Sequence, residues 1–360
     1  MWGRMGLGKI GSVLAAGLIA LALPAQAQQI QAVPPSAGEQ ASAGAGATEY
    51  ESLFDSMLGT EVRPLQTMEA SYDSDLTRRI ARLADASQGR IGVYAVDLSS
   101  GEEVGVMADQ WFPLASTSKV AIAATYLAGV DQGKWTLSSE WRLPGRGGAT
   151  MPARRHLELM IAKSCNDCTD ALLNAVGGPA AVNRWMREAG LTEFMLTRDI
   201  ATLIREDGRS DPATSIDVND SATPRAMGQL LAGIYQGKWL SSSSRSVLMS
   251  AMFATTTGKN RMSAALPGSA NLAHKTGTLS RTASDIGLFQ TADGRTIAAA
   301  IYVTGQSPSM AYENGNRSAK LEARRKRDLR INTIAGALYE GFQRNGSDGR
   351  VWANATYGGE

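Results

Sequence analysis

A chain of 360 residues with 43% hydrophobic and 19% charged residues is long enough to bury a full core, as one large or two interlocked globular domains. A net charge of +2 leaves no electrostatic footprint for nucleic acid, so nucleic-acid binding is set aside as a function class. With His156 and His274 as its two histidines, neither in a motif for the role, the chain offers no obvious four-ligand zinc site and no Ser-His-Asp hydrolase, and no metal or cofactor is expected.

The N-terminus reads as an address. Arg4 and Lys9 precede the apolar run GSVLAAGLIALALPAQA, which ends in the small-residue pattern Ala25-Gln26-Ala27. Residues 1–27 are therefore predicted to be a secretory signal peptide, too short and wrongly flanked for a stable span, and the product to be secreted or periplasmic and monomeric. Residues 28–70, beginning QQIQAVPPSAGEQASAGAGAT, are rich in small residues and Pro and predict a flexible linker.

Residues 89–109 alternate apolar and polar around Ser99-Ser100-Gly101, which signals a hairpin. Helical periodicity follows at 120–128, 157–163, 171–176 (stopped by Gly177-Gly178) and 182–189 (stopped by Gly190). A further helix starts at Thr223-Pro224, with Met227, Leu230, Leu231 and Ile234 on one face. A second hairpin covers 284–305 and turns at Asp293-Gly294. The Arg-rich stretch at 317–330 leads into an amphipathic helix with Leu321, Leu329, Ile331, Ile334 and Leu338 on its apolar side and arginines on its solvated side. Residues 344–360 are expected to be a tail. Strands, then helices, then strands predict an α/β sandwich with an inserted all-α domain: an antiparallel sheet flanked by helices, built from 71–115 and 255–343, with 116–254 as the helical insert.

Three short motifs punctuate this order. WFPLASTSKV places Ser116 and Lys119 one turn apart at the start of an apolar helix. One such Ser-x-x-Lys pair arises by composition in a chain of this size, and a helix-capping serine with a snorkelling lysine would explain it. KSCND then holds Ser164 and Asn166, and AHKTGTLS holds Lys275, Thr276, Gly277 and Thr278, at separations of 48 and 111 residues. The three together, with FPLASTSK, GGPAAVNRWM, TTTGKNRMSAALPG and SDIGLF, make the chain resemble the class A serine β-lactamases, within the wider superfamily of penicillin-binding proteins, over roughly residues 71–342.

That resemblance implies acyl transfer from an amide of a β-lactam or of a peptidoglycan-like substrate. The chemistry needs a nucleophile, a group to take its proton, donors for an oxyanion and a clamp for the substrate carboxylate. Ser116 is the expected nucleophile and Lys119 its base; burial and the second cation, Lys275, would keep Lys119 partly neutral. Ser164 can relay a proton to the leaving nitrogen, and the Asn166 amide can hold the substrate's side-chain carbonyl. Gly277 lets substrate lie along an edge strand. By resemblance, the amides of Ser116 and Thr278 form the oxyanion hole. Many family members carry an arginine on the strand after Lys-Thr-Gly, but Ala283 and Ser284 precede DIG here, so Lys275, Thr276 and Arg261 are assigned to the carboxylate, with a surface arginine as the alternative for Arg261.

The departures are also informative. Cys165 stands where class A usually has aspartate, and Cys165 and Cys168 are expected to be either buried thiols or a local disulfide. The 134–164 segment is short where an aromatic gate residue is common. Most consequentially, the loop has no Glu-x-x-Leu-Asn, the family's deacylation motif. Glu193, Asp199 and Glu206 are the candidate replacements, and none sits in the usual place. Three activities therefore compete: a β-lactamase, a D,D-peptidase-like peptidoglycan enzyme, and a β-lactam-binding protein that acylates and stalls.

Overall fold

The computed structural model describes residues 74–84, 88–145 and 147–353, with side chains as far as 343. The predicted signal peptide, the linker and the end of the predicted tail lie outside the described residues. Helix α1 (Asp75–Ala84) leads into strands β1 (Ile91–Asp97), β2 (Glu103–Val106) and β3 (Phe112–Pro113). A 3-10 turn (Ala115–Thr117) opens α2 (Ser118–Asp131), and a small hairpin, β4 (Glu140–Arg142) and β5 (Thr150–Pro152), precedes α3 (Ala153–Ala162), α4 (Asn166–Val176) and α5 (Gly178–Glu188). Next come β6 (Phe194–Met195), α6 (Ile200–Glu206), β7 (Ser221–Ala222), α7 (Pro224–Tyr235), α8 (Ser242–Phe253) and α9 (Met262–Ala265). The chain closes with β8 (Ala273–Leu279), β9 (Thr282–Gln290), β10 (Thr296–Thr304), α10 (Met310–Gly315) and α11 (Arg317–Ala353).

The main sheet has the order β2-β1-β10-β9-β8 and every pairing in it is antiparallel, so the first and last thirds of the chain meet in one sheet. Both expected hairpins are in it. In the first, the Asp97 carboxylate accepts the Ser99 amide at 2.8 Å and the Ser100 hydroxyl at 2.9 Å, an Asx turn that sets the reversal. Strands β1, β9 and β10 are buried on both faces, because alternate side chains enter two different cores. Ile91, Val93, Ala95, Ile297, Ala299, Ile301 and Val303 pack with α1 and α11; Tyr94, Val96, Ala298, Ala300 and Tyr302 pack with α2, α7 and the helices beyond. This is the antiparallel sheet flanked by helices that the chain order implied.

The helices start where their chemistry lets them. Thr223 accepts the Ala226 amide at 3.1 Å and Pro224 occupies the first turn of α7; Gly177, at φ 100°, ends α4 in the left-handed conformation that glycine tolerates. Helix α8 was not foreseen. Its run SSSRSVLMSAMF has no polar face wide enough to show a helical period, yet Ser241 caps it by accepting the Ser244 amide. The C-terminal helix differs from expectation in its first half. Ile331, Ile334 and Leu338 are buried, but Leu321 and Leu329 are 49% and 61% exposed. There the inward seam is Ala319, Ala323, Arg327 and Ile331, spaced by four, and Arg327 is not solvated: it is buried against both carboxylate oxygens of Glu313. The same helix continues to Ala353, past the expected start of the tail at 344.

Candidate active site

The short turn before α2 brings the first motif to the sheet. Thr117 Oγ1 donates to the Leu114 carbonyl at 2.6 Å and meets the Tyr302 hydroxyl of β10 at 3.0 Å, while Ser118 Oγ donates to the Ala115 carbonyl at 2.9 Å. Ala115 takes φ 48°, a conformation costly for a residue with a Cβ, at about 1–3 kcal/mol. Ser116 follows it inside the turn and caps nothing: the hydroxyl forms no hydrogen bond among the described residues. The capping explanation for a serine at this point is thereby removed.

Strand β8 passes so close to this turn that position 277 must be glycine. A Cβ there would lie 2.4 Å from Ser284 Oγ and 3.0 Å from both the Ala115 Cβ and the Leu114 carbonyl oxygen. As an edge strand, β8 also keeps one side open for an added strand.

Lys119 and Lys275 are both fully buried, and both reach the same serine. Lys119 Nζ donates to Ser164 Oγ at 3.2 Å, to the Ser164 carbonyl at 2.8 Å and to Asn166 Oδ1 at 2.7 Å. Lys275 Nζ donates to Ser164 Oγ at 3.1 Å and to the Thr276 carbonyl at 2.8 Å. Ser164 can offer carbonyl and hydroxyl together because it holds φ 58°. Burial lowers the Lys119 pKa to about 7, opposed by the negative charge of Asp170. Lys275 is pushed well below the usual lysine range by burial and then by the Lys119 charge, with Asp285 acting the other way.

Cys165 and Cys168 form a disulfide that spans the entry to α4, directly between Ser164 and Asn166. Of the two states open from sequence, the bonded one is present. Thr276 Oγ1 meets Thr257 Oγ1 at 2.6 Å. Arg261 is 4% exposed and is no surface arginine. Its Nε pairs with Asp328 at 2.6 Å, Nη1 donates to the carbonyls of Gly277 and Ser284 at 2.8 and 2.9 Å, and Nη2 donates to Thr278 Oγ1 at 2.7 Å. These bonds leave one N–H on Nη2 uncommitted among the described residues.

His274, one residue before Lys275, points to the other face of β8, where Nδ1 meets the buried Asp285 at 2.8 Å. His156 Nε2 meets the Trp141 carbonyl at 2.9 Å. Neither histidine is in the serine cluster. No group of three or more His, Cys, Asp or Glu side chains suited to a metal occurs among the described residues, and no described helix is long and apolar enough to cross a membrane.

The loop between β6 and β7 closes at its neck on Asp220, which accepts the amides of Thr197 and Arg198 at 2.7 and 3.1 Å and pairs with the Arg198 guanidinium. None of the three carboxylates proposed from sequence is turned to Ser116 by its bonding. Asp199 is exposed and caps α6 by accepting the Thr202 amide at 2.7 Å. Glu193 accepts the Thr223 hydroxyl at 3.0 Å, and Glu206 pairs with Arg209. The buried residue at the start of α6 is Ile200. Its amide and that of Ala201 bond to Asp170 at 2.8 and 3.0 Å, and Asp170 is the acid that sequence reading missed. The available signal was one acidic residue four positions after Asn166, on the apolar side of DCTDALLNAV.

The sequence profile of the β-lactamase enzyme family matches residues 75–341. A β-lactamase of Streptomyces albus G is 31% identical over 222 residues, 57% of this chain and 68% of that one. The carbapenem-hydrolyzing β-lactamase KPC of Klebsiella oxytoca is 30% identical over 263 residues, 68% of this chain and 82% of that one. Among solved structures, an ancestral class A β-lactamase superposes with a TM-score of 0.64 at 30% identity, covering 74% of this chain and all of the other. Motifs, sheet order and matched length agree, and the chain belongs to the β-lactamase enzyme family, on its class A serine side.

Proposed function

We propose that the protein is a serine β-lactamase that opens the β-lactam amide through an acyl-Ser116 intermediate, at the seam between an α/β part (71–115 and 255–343) and an all-α part (116–254). Ser116 Oγ attacks the lactam carbonyl and its proton passes to neutral Lys119 Nζ. The amides of Ser116 and Thr278 hold the oxyanion. The C–N bond then breaks, with the nitrogen taking a proton from Ser164 Oγ, which Lys119 replenishes. Asn166 binds the side-chain carbonyl of the substrate, and Gly277 and Thr278 pair with it along the edge of β8. Lys275, Thr276 and Thr278 take the carboxylate, with Arg261 contributing its remaining N–H and orienting the Thr278 hydroxyl. Water finally cleaves the ester. The enzyme acts as a secreted or periplasmic monomer released from residues 1–27, on a small β-lactam, without cofactor, metal or nucleic acid.

What carries this reading is the convergence of two buried ammonium nitrogens on one hydroxyl, 3.2 and 3.1 Å from Ser164 Oγ, one of them on Lys119, three residues along the chain from an uncommitted Ser116. A pair of cations around one hydroxyl keeps at least one of them ready to accept a proton at neutral pH. The loop supports a second reading, a D,D-peptidase acting on peptidoglycan stem peptides with the same serine and lysines, because Asp199, Glu193 and Glu206 are all engaged elsewhere. Steady-state turnover of a chromogenic cephalosporin, measured beside covalent labelling by a fluorescent penicillin, tests both. Turnover with labelling supports the β-lactamase. Labelling with hydrolysis of a D-Ala-D-Ala peptide in place of cephalosporin turnover supports the peptidase, and labelling alone identifies a protein that binds and stalls.

A further inference from the structure

Helices α3 and α8 pack against each other and bury their large side chains on one side: Leu157, Met160 and Ile161 of α3, and Leu248, Met249 and Met252 of α8. Along the other side of the seam the facing residues are small. Ala162, Ala251 and Ala254, with Leu159 and Val247, wall an open groove of ≈ 400 Å³ between the two helices. That is room for a small ligand, and no residue of the serine cluster lines it. The ends of the groove are cationic. Arg154 and Arg155 stand on the first turn of α3, and Lys163 follows its last turn, nine residues and about 13 Å along the helix from Arg154. Glu158 is the one carboxylate among the described lining residues, and it pairs with Arg155 at 3.1 Å. Lys163 Nζ donates to Thr256 Oγ1 at 3.2 Å, whereas the Arg154 guanidinium has neither a hydrogen bond nor an ion pair among the described residues. We propose that this groove binds an anionic amphiphile, a medium-chain fatty carboxylate, with its carboxylate on Arg154 and its alkyl chain along the alanine floor.

The chemistry of the lining selects this class. Three cations face one carboxylate around an apolar floor, so the groove attracts negative charge at its rim and carbon at its base. A neutral apolar molecule would use the floor and leave the cations idle; a bare oxyanion would use the rim and leave the floor wet. A fatty carboxylate uses both, since its chain removes apolar surface from water and its head can take two parallel N–H bonds from one guanidinium. An extended peptide is a poorer fit, because both walls are helices whose backbone amides and carbonyls are committed within the helix. The far end of the groove reaches Lys163, the residue before Ser164, and the Leu159 carbonyl in its wall accepts the amides of both Lys163 and Cys165 at 3.1 Å. The site therefore abuts the helix end that carries Ser164 without sharing a residue with the serine cluster, and the inference does not depend on the acyl-transfer reading.

Isothermal titration of the full chain with octanoate, and in parallel with octan-1-ol, tests the proposal. Octanoate should bind saturably at one site per chain, and octan-1-ol roughly tenfold more weakly, the difference made by one hydrogen-bonded charge pair. Arg154→Glu should weaken octanoate by roughly fivefold or more and leave octan-1-ol unchanged. Ser250→Trp places an indole in the groove from an exposed position of α8 and should remove binding of both. A thermal melt checks that each variant is folded; if Ser250→Trp is not, Ala254→Trp, at the exposed C-cap of α8, is read in the same way. The proposal is overturned by an unaltered chain that shows no saturable octanoate binding, by equal affinities for octanoate and octan-1-ol, or by octanoate binding that survives the tryptophan in the groove. Sedimentation that shows a dimer in the unaltered chain and a monomer in Ser250→Trp would assign the groove to a second copy of the chain and overturn it as well.

Discussion

The floor of the site and the loop beside it are built by opposite rules. On the floor, polar groups are buried and aimed at one another: Lys119, Lys275, Ser164 and Asn166 form a connected cluster, with Ala115 and Ser164 held in left-handed backbone conformations to make the aim possible. In the loop, acidic groups are spent on holding the loop together and on tying it to the β8–β9 turn. Asp220 closes its neck, Asp199 caps α6, Asp207 accepts the Ser280 amide at 2.9 Å and Asp211 pairs with Arg281 at 2.8 Å. The difference teaches that forming and cleaving the acyl ester are structurally separable tasks. On the proposed reading the floor supplies the groups for the first, while the loop carboxylates serve architecture.

The contrast makes definite demands. The largest effect should come from the nucleophile: Ser116→Ala abolishes covalent penicillin labelling while shifting stability by no more than about 0.5 kcal/mol, since Ser116 Oγ supports nothing else. Labelling that survives the change would place the nucleophile elsewhere. Next, hydrolysis should be unbalanced. Stopped-flow traces should show a rapid phase approaching one product per enzyme, then a slow steady state, with the adduct visible by intact-protein mass spectrometry. Burst-free turnover with no adduct would show that the loop, or a residue outside it, supplies an efficient base.

Arg261→Ala should slow acylation by carboxylate-bearing β-lactams by roughly 1.5–3 kcal/mol and leave an uncharged ester analogue much less affected. Equal losses for both substrates would mean that Arg261 acts only through its bonds to Asp328, Gly277 and Ser284. Replacing both Cys165 and Cys168 by serine should cost about 2 kcal/mol in stability, the chain-entropy value for so short a loop, and should also slow acylation, because the disulfide brackets Asn166. A loss of stability with unchanged acylation would separate the disulfide from the site. The smallest effect belongs to the loop: Asp199→Ala should lower thermal stability by about 1 kcal/mol through the lost cap, with the adduct lifetime unchanged. A prolonged adduct would make Asp199 the missing base.

Much of the floor was legible in the chain. Ser116 and Lys119 fall one helical turn apart, Ser164 and Asn166 flank the N-cap of α4, and Lys275 to Thr278 lie on one short strand, so local spacing already groups the side chains within each motif. The loop was legible only as a list of acids. Whether Asp199, Glu193 or Glu206 faces Ser116 depends on how a segment with little periodicity folds back, and hydrogen bonds to residues far along the chain decide that. Arg261 shows the same limit: its type suggested a carboxylate partner, and its position gave it Asp328 and three groups of the sheet.

The order of hairpins, helices and hairpin, and the three motifs with their chemistry, follow from periodicities of two and 3.6 residues and from residue type, which are properties of short stretches. Those properties decided that the chain would build an antiparallel sheet covered by helices and that it would carry Ser116, Lys119 and Lys275 within short motifs. Packing decided the rest. Which two cores the alternating strand residues enter, why position 277 is confined to glycine, why Leu321 and Leu329 face water while Arg327 is buried, and why Asp170 meets the amides of Ile200 and Ala201 are all set by contacts between distant segments. The physical reason is that desolvation and pairing energies depend on what surrounds a group in space, and for a buried lysine or carboxylate those neighbours come from elsewhere in the chain.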